Sequence, residues 1–282
     1  MARYQVENIG VSESQLEMTR KIHLKLEDLD HLSSFSEICG IKFACTSFGP
    51  TTTEYLKKFT MPFVKIPSGE ITNIPYIDEC SEYGIPIIVS TGMSTIGEIE
   101  YALNRLRRRG VNDDDITLMH CTTQYPAPFG SLNLSAINTL RSAFRLKVGY
   151  SDHSLGLTAS IGAVAMGACT IEKHLTLCKD MQGPDHRCSL EPHDFSNLVI
   201  AIRDLEEARG SGIKEPHADE IENIQIARRS IVAKKMVKKG ELFTIDNLTT
   251  KRPGDGISAI HWDLVVGKRA IKDFYVDEQI SF

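Results

Sequence analysis

No stretch of this chain approaches eighteen consecutive apolar residues, so no membrane-spanning helix is expected. The opening residues, Met1-Ala2-Arg3-Tyr4-Gln5-Val6-Glu7, lack the apolar core of a secretory signal peptide, which leaves the cytoplasm as the expected compartment. Cysteine is sparse and unpaired in pattern. Cys39, Cys45, Cys80, Cys121, Cys169, Cys178 and Cys188 make an odd number with no CxxC, so reduced and mostly buried thiols are expected rather than a disulfide framework or zinc site. No GxGxxG or GxxxxGK[ST] loop is present, which counts against nucleotide binding. Positive charge is not in excess either: 32 Lys and Arg stand against 37 Asp and Glu, a net −5, and nucleic acid is not an expected partner.

What is present is a 282-residue chain, 41% hydrophobic and 24% charged, long enough for one large domain or two ordinary ones with a real core. Apolar, β-rich runs recur at 41–48, 63–70, 85–92, 116–125, 147–154 and 169–176, their starts separated by 22, 22, 31, 31 and 22 residues. That is the length of a strand, a helix and two loops, and it predicts a parallel sheet of six βα units. After the third run Ser94 can cap a helix through Gly110, with Ile96, Ile99, Leu103 and Leu106 on one face and arginines loading the C-terminal end. A second apolar face runs through Leu198, Ile202 and Leu205. Every run ends in polar groups: Thr46; Ser68 and Glu70; Ser90 and Thr91; Thr123 and Tyr125; Ser151 to His153; Lys173 and His174. Strand ends that all carry polar groups favour a (β/α)8 barrel, whose mouth collects every strand C-terminus, over an open sheet with one crevice.

The barrel-type domain is expected over 1–210, a polar linker over 211–220, and a small β-rich domain over 221–282, where short strand-like pieces such as 229–233 and 241–244 alternate with turn signals. The last segment carries 11 Lys and Arg against 8 Asp and Glu, net +3, and leaves −8 on the first 220 residues. Docking of this basic domain near the barrel mouth or on a neighbouring subunit is one reading, and a solvated basic face the other.

His153 and His174 leave consecutive strands about 4.8 Å apart, so their imidazoles can share one metal ion with water and substrate oxygens in the open positions; a hydrogen-bonded structural pair is the alternative. In Val64-Lys65-Ile66-Pro67-Ser68-Gly69-Glu70, the proline and glycine break the ladder and can turn Ser68 and Glu70 into the mouth, Lys65 pairing with an anion and Glu70 acting on protons. The bland alternative is a surface lysine and a helix-capping carboxylate. Thr46, Ser68, Ser90 and Ser151 form a rim of hydroxyls suited to an oxyanion such as phosphate. Arg252, framed by Pro253 and Gly254, suits bidentate recognition of a carboxylate or phosphate, unless it is an ordinary surface arginine.

Taken together the strings Lys-Ile-Pro-Ser-Gly-Glu (65–70), Ser-Thr-Gly-Met (90–93), His-Cys-Thr-Thr-Gln-Tyr-Pro (120–126), Gly-Tyr-Ser-Asp-His-Ser (149–154), Glu-Lys-His (172–174), Gly-Pro-Asp-His (183–186) and Lys-Arg-Pro-Gly-x-Gly-Ile-Ser (251–258) resemble the sialic acid synthase family, in its order and spacing and over essentially the whole chain. The resemblance implies a (β/α)8 TIM-type barrel followed by a small antifreeze-like (SAF) domain in a domain-swapped homodimer. It implies condensation of phosphoenolpyruvate with an N-acetylated aldose, N-acetylmannosamine or a diacetamido relative, to a nine-carbon 2-keto acid with release of phosphate. A divalent metal, Mn2+ or Mg2+, would polarise the aldehyde oxygen. By motif, His153 and His174 would be metal ligands and Glu70 would handle protons or the incoming water. Thr46, Lys65, Ser68, Ser90 and Ser151 would hold phosphoenolpyruvate, Tyr125 would line the pocket, and Arg252 would reach the sugar from the partner. Thr123 stands where some relatives carry Asn.

The family's opening strand, ending in Glu-Ile-Gly-x-Asn-His, and its second, ending in Lys-Phe-Gln, have no counterpart here. Two βα units, about 60 residues at roughly 31 per unit, are therefore expected to be missing, and the six runs to be strands three to eight of the barrel. Such a truncation predicts unpaired sheet edges and a poorly soluble or associating chain. Two functions stand open: a sialic-acid-type synthase, or a catalytically impaired fragment or non-catalytic partner subunit of one.

Overall fold

Side-chain alternation in five short strands sorts the chain into an apolar outside and a polar inside. The strands are β1 (Val64–Ile66), β2 (Ile87–Ser90), β3 (Ile116–Cys121), β4 (Lys147–Asp152) and β5 (Ile171–Lys173), all parallel and in sequential order. On one face Val64, Ile66, Ile87, Val89, Ile116, Leu118, Val148 and Tyr150 pack into the main core against the helices. The period of two then leaves Lys65, Ser90, Met119, Cys121, Ser151 and Glu172 on the other face.

The molecule is a computed structural model describing residues 2–10 and 14–282, and it divides into two units, Met1–Gly210 and Ser211–Phe282. In the first unit α1 (Arg3–Ile9), α2 (Gln15–Ile22), α3 (Leu26–Ile38) and α4 (Pro50–Leu56) precede the sheet. The helices α5 (Ile74–Ser81), α6 (Ile96–Arg108), α7 (Ala136–Phe144) and α8 (Thr158–Ala165) connect its strands, and α9 (Pro192–Ala208) follows. Among the described residues no helix is long and apolar enough to cross a membrane.

The sheet is a curled half-barrel, and one contact measures the curl. Four spacings of about 4.8 Å would separate β1 from β5 in a flat sheet by about 19 Å, beyond the joint reach of a lysine and a glutamate. Yet Lys65 Nζ on β1 lies 2.6 Å from both carboxylate oxygens of Glu172 on β5.

Three expectations about this unit need correction. Among the described residues five strands form this sheet, not six, because residues 41–47 pair with no strand. Side chains hold this segment instead: Phe43 packs on Phe59 at 5.4 Å, and Ser47 Oγ meets Tyr76 Oη at 3.1 Å and accepts from Thr53 at 3.0 Å. An apolar run makes a strand only where a ladder partner takes its backbone groups. Second, α6 is capped by Thr95, not Ser94. Glu98 lies three residues beyond Thr95 and completes a reciprocal capping box, while the Ser94 hydroxyl donates to the Gly92 carbonyl. Third, the seven cysteines are all free but only Cys80, Cys121 and Cys188 are buried; Cys45 is half-buried, and Cys39, Cys169 and Cys178 are exposed.

The second unit opens with residues 211–217, a single turn, and α10 (Ile221–Ala227). An antiparallel pair follows, β6 (Ser230–Ala233) with β7 (Leu248–Lys251), and then α11 (Trp262–Val265). Segment 241–244, expected as a strand, makes one bridge, Leu242 to Arg269. Its core gathers Ile231, Val237, Phe243, Leu248, Phe274 and Ile280, with Phe243 and Phe274 edge to face at 5.6 Å.

Candidate active site

The register between β4 and β5 builds the centre of the site. Ser151 is paired with Glu172 and Asp152 with Lys173, so one further step sets His153 beside His174. The two rings meet edge to face, 5.4 Å between centroids. Alternation sends the members of this register to opposite sides. Asp152 and Lys173 point away from the bowl, both side chains fully buried, with Nζ 3.0 Å from Oδ2. Asp152 also accepts from Ser154 N at 2.8 Å, Ser154 Oγ at 2.7 Å and Ser160 Oγ of α8 at 2.6 Å, while Lys173 donates to the Ser154 carbonyl. This closed ion pair clamps the ends of β4 and β5 just where the histidines follow.

Inside the bowl lies a cavity of about 450 Å³. Lys65, Ser68, Ser90, Cys121, Thr123, Tyr125, Ser151, His153, Glu172 and His174 line it. Glu172 is its hub, accepting from Lys65 and, at 2.6 Å, from Ser151 Oγ. Burial works against its ionisation, but the Lys65 charge and the hydrogen bonds of Lys65 and Ser151 outweigh that and hold the carboxyl below its ordinary value. Ser68 Oγ accepts from Gly92 N at 3.1 Å and sits 3.2 Å from Cys121 Sγ. A Cβ on Gly92 would fall 2.8 Å from Ser68 Oγ and 2.6 Å from Thr123 Cγ2, so the approach of this backbone requires glycine. Ser90 Oγ is buried with no hydrogen-bond partner among the described residues.

Burial favours the neutral form of both histidines. Burial pushes His153 down to about 4 and lowers His174 as well. His153 Nδ1 donates to the Thr122 carbonyl at 2.6 Å, which leaves a lone pair on Nε2. Ser151 Oγ is 3.3 Å from that nitrogen, but its single proton goes to Glu172, so the lone pair has no donor there. An imidazole held by a carbonyl at one nitrogen and open at the other suits a metal ligand. Among the described residues no group of three or more His, Cys, Asp or Glu is gathered around one point. The pair therefore fits only an open site completed by water and substrate oxygens. Tyr125 packs 4.1 Å from the His153 ring and 5.6 Å from His174. Tyr4 of α1 packs on Tyr125 at 5.0 Å, and Asn8 donates to the Tyr125 and Pro184 carbonyls.

Of the residues singled out in the sequence, Lys65, Ser68, Ser90, Tyr125, Ser151, His153 and His174 come together in this cavity. Three do not. Thr46 is half-buried in the unpaired 41–47 segment and does not line the cavity. Glu70, in the single turn after β1, accepts from Asn73 at 2.6 Å and lies off the lining. Arg252 belongs to the second unit, exposed, its Nε donating to the Ala227 carbonyl at 3.0 Å. Glu172 was missed as a site residue, although period two from His174 would have found it. Tyr4 carries no local signal.

Residues 1–214 match the NeuB family, and residues 228–282 match the SAF domain. The chain belongs to the NeuB family. It is 48% identical over 279 residues to the N,N'-diacetyllegionaminic acid synthase of Campylobacter jejuni, covering 99% of this chain and 84% of that one. It is 31% identical to human N-acetylneuraminate-9-phosphate synthase, over 83% of this chain and 65% of the relative. Among solved structures, the N-acetylneuraminic acid synthetase of Leptospira borgpetersenii, in complex with citrate, superposes with a TM-score of 0.70 at 32% identity, over 78% of this chain and 76% of that one. This NeuB chain is thus a sialic acid synthase-like enzyme.

Proposed function

We propose that the chain condenses phosphoenolpyruvate with an N-acetylated aldose to a nine-carbon 2-keto acid and phosphate. The observation that carries this reading is the meeting, in one cavity, of a cation with three hydroxyls (Lys65, Ser68, Ser90, Ser151) and two neutral imidazoles (His153, His174). The first group suits the anionic donor and the second a divalent metal, Mn2+ or Mg2+. When bound, that metal would act as a Lewis acid toward the aldehyde oxygen. The chain's own residues do the rest. Lys65 and the hydroxyls hold the anionic end of phosphoenolpyruvate through charge-assisted hydrogen bonds, the Thr122 carbonyl orients His153, and Tyr125 walls the pocket beside both histidines.

A diacetamido aldose is favoured over a singly acetylated one, because the relative at 48% identity is named for a diacetylated product. A swapped homodimer in which Arg252 reaches the partner's sugar subsite belongs to the same reading and is supported by family membership and the SAF domain. Glu70 and Thr46 lie off the cavity lining and carry no part of this reading. The test is incubation with phosphoenolpyruvate, Mn2+ and either a diacetamido or a monoacetamido aldose, with mass-spectrometric detection of the keto acid and measurement of phosphate. Product from pyruvate in place of phosphoenolpyruvate would make the protein an aldolase and overturn the assignment.

A further inference from the structure

Two ion pairs span the end of the half-barrel, and they differ in one respect that matters. Asp152 and Lys173 are closed off completely, each side chain 0% exposed. Lys65 and Glu172 line the cavity, with side chains 18% and 37% exposed. The first pair can only be structural, because separating it would strand two charges in the core. The second opens onto water and can separate by rotation of the glutamate side chain.

The partners of Glu172 are also those an incoming oxyanion would need. Its carboxylate takes both contacts from Lys65 Nζ and the Ser151 hydroxyl proton, all at 2.6 Å. Ser90 Oγ, in a residue 2% exposed that lines the same cavity, has no hydrogen-bond partner among the described residues, so the carboxylate does not use the full set of donors present. A buried hydroxyl without a partner, in the same cavity as a lysine and a serine that already hold an anion, marks a donor set built for something larger than one carboxylate.

We propose that Glu172 is the internal counter-ion of an anion subsite formed by Lys65, Ser151 and Ser90, and that an oxyanionic substrate group enters by exchanging with this carboxylate. The inference rests on the reading of Lys65 as an anion holder and adds the gate. One ammonium cannot serve a carboxylate and a phosphate dianion together without bringing like charges into contact. The anion therefore displaces Glu172 toward solvent. The exchange keeps Lys65 neutralised in the empty site and lowers the apparent affinity for any anion by the fraction of time the carboxylate is away. It discriminates against ligands with one weak anionic group, which gain no more from Lys65 than Glu172 already does.

The experiment titrates the full chain with inorganic phosphate, and separately with phosphoenolpyruvate, by calorimetry. Glu172→Gln keeps the size and removes the charge, and roughly tenfold tighter phosphate binding is expected if the pair is closed about nine-tenths of the time. Glu172→Asp, whose shorter carboxylate draws back from Lys65, should tighten binding by a few-fold and decides the matter if the glutamine variant does not fold by far-UV criteria. Lys65→Met should lose most phosphate affinity. Loss with Lys65→Met but unchanged or weaker binding in both Glu172 variants would overturn the gate and leave the anion-holder reading standing. Wild-type binding in Lys65→Met would overturn both. Tighter binding in Glu172→Gln with none in Glu172→Asp would mark charge repulsion without exchange and would also overturn the gate.

Discussion

The Asp152–Lys173 pair offers the sharpest test of how the site is held. Lys173→Met removes the cation and leaves a fully buried carboxylate supported only by Ser154 and Ser160. Breaking a buried pair by deleting one partner costs about 3–5 kcal/mol, which for a unit of this size corresponds to a fall in midpoint of roughly 6–20 °C at about 2–4 °C per kcal/mol. Asp152→Asn should cost a comparable amount, since it strands Lys173 and turns an amide N–H toward hydroxyl donors. The double variant, with neither charge, should fall short of the sum by about 2–3 kcal/mol. Urea unfolding followed by far-UV signal measures all three; the single tryptophan, Trp262, lies in the second unit and does not report this one. A cost below about 1 kcal/mol for Lys173→Met, the size of a surface pair, or strict additivity in the cycle, would refute the claim that a closed ion pair clamps β4 to β5.

Three further outcomes are expected. His153→Ala combined with His174→Ala should abolish manganese binding in equilibrium dialysis while leaving the far-UV spectrum intact; retained binding would remove the histidines from any metal site. Gly92→Ala pushes a methyl into Ser68 and Thr123, and should destabilise by about 1–3 kcal/mol and weaken phosphoenolpyruvate binding, as read by melting and calorimetry; a wild-type variant would show that the loop yields freely. Arg252→Ala should raise the KM for the aldose with little change in the affinity for phosphoenolpyruvate, and an unchanged KM would take Arg252 out of the sugar subsite.

Strand positions, the polar strand ends and the identity of the family were legible in the residues, because each rests on local pattern: period-two alternation, turn residues, and short strings in a fixed order. The alternation of β4 alone places Ser151 and His153 on one face and Asp152 on the other. Pattern failed where an element depends on what lies beside it. Residues 41–48 have strand composition but no ladder partner, and Glu70 sits one turn beyond Lys65 in sequence yet bonds to Asn73 instead of facing the cavity.

The parallel βα order, the family, and most of the groups that could meet an anion and a metal follow from spacing and residue type along the chain. Which charges pair does not follow from them; it is set by the folded sheet. The curl that closes β1 toward β5 gives Lys65 a partner 107 residues away, and the register of β4 with β5 seals one ion pair in the core while leaving the other open to the cavity. Charge pairing is a through-space property, fixed by sheet curvature and register, and no local pattern in the chain encodes the distance across the bowl.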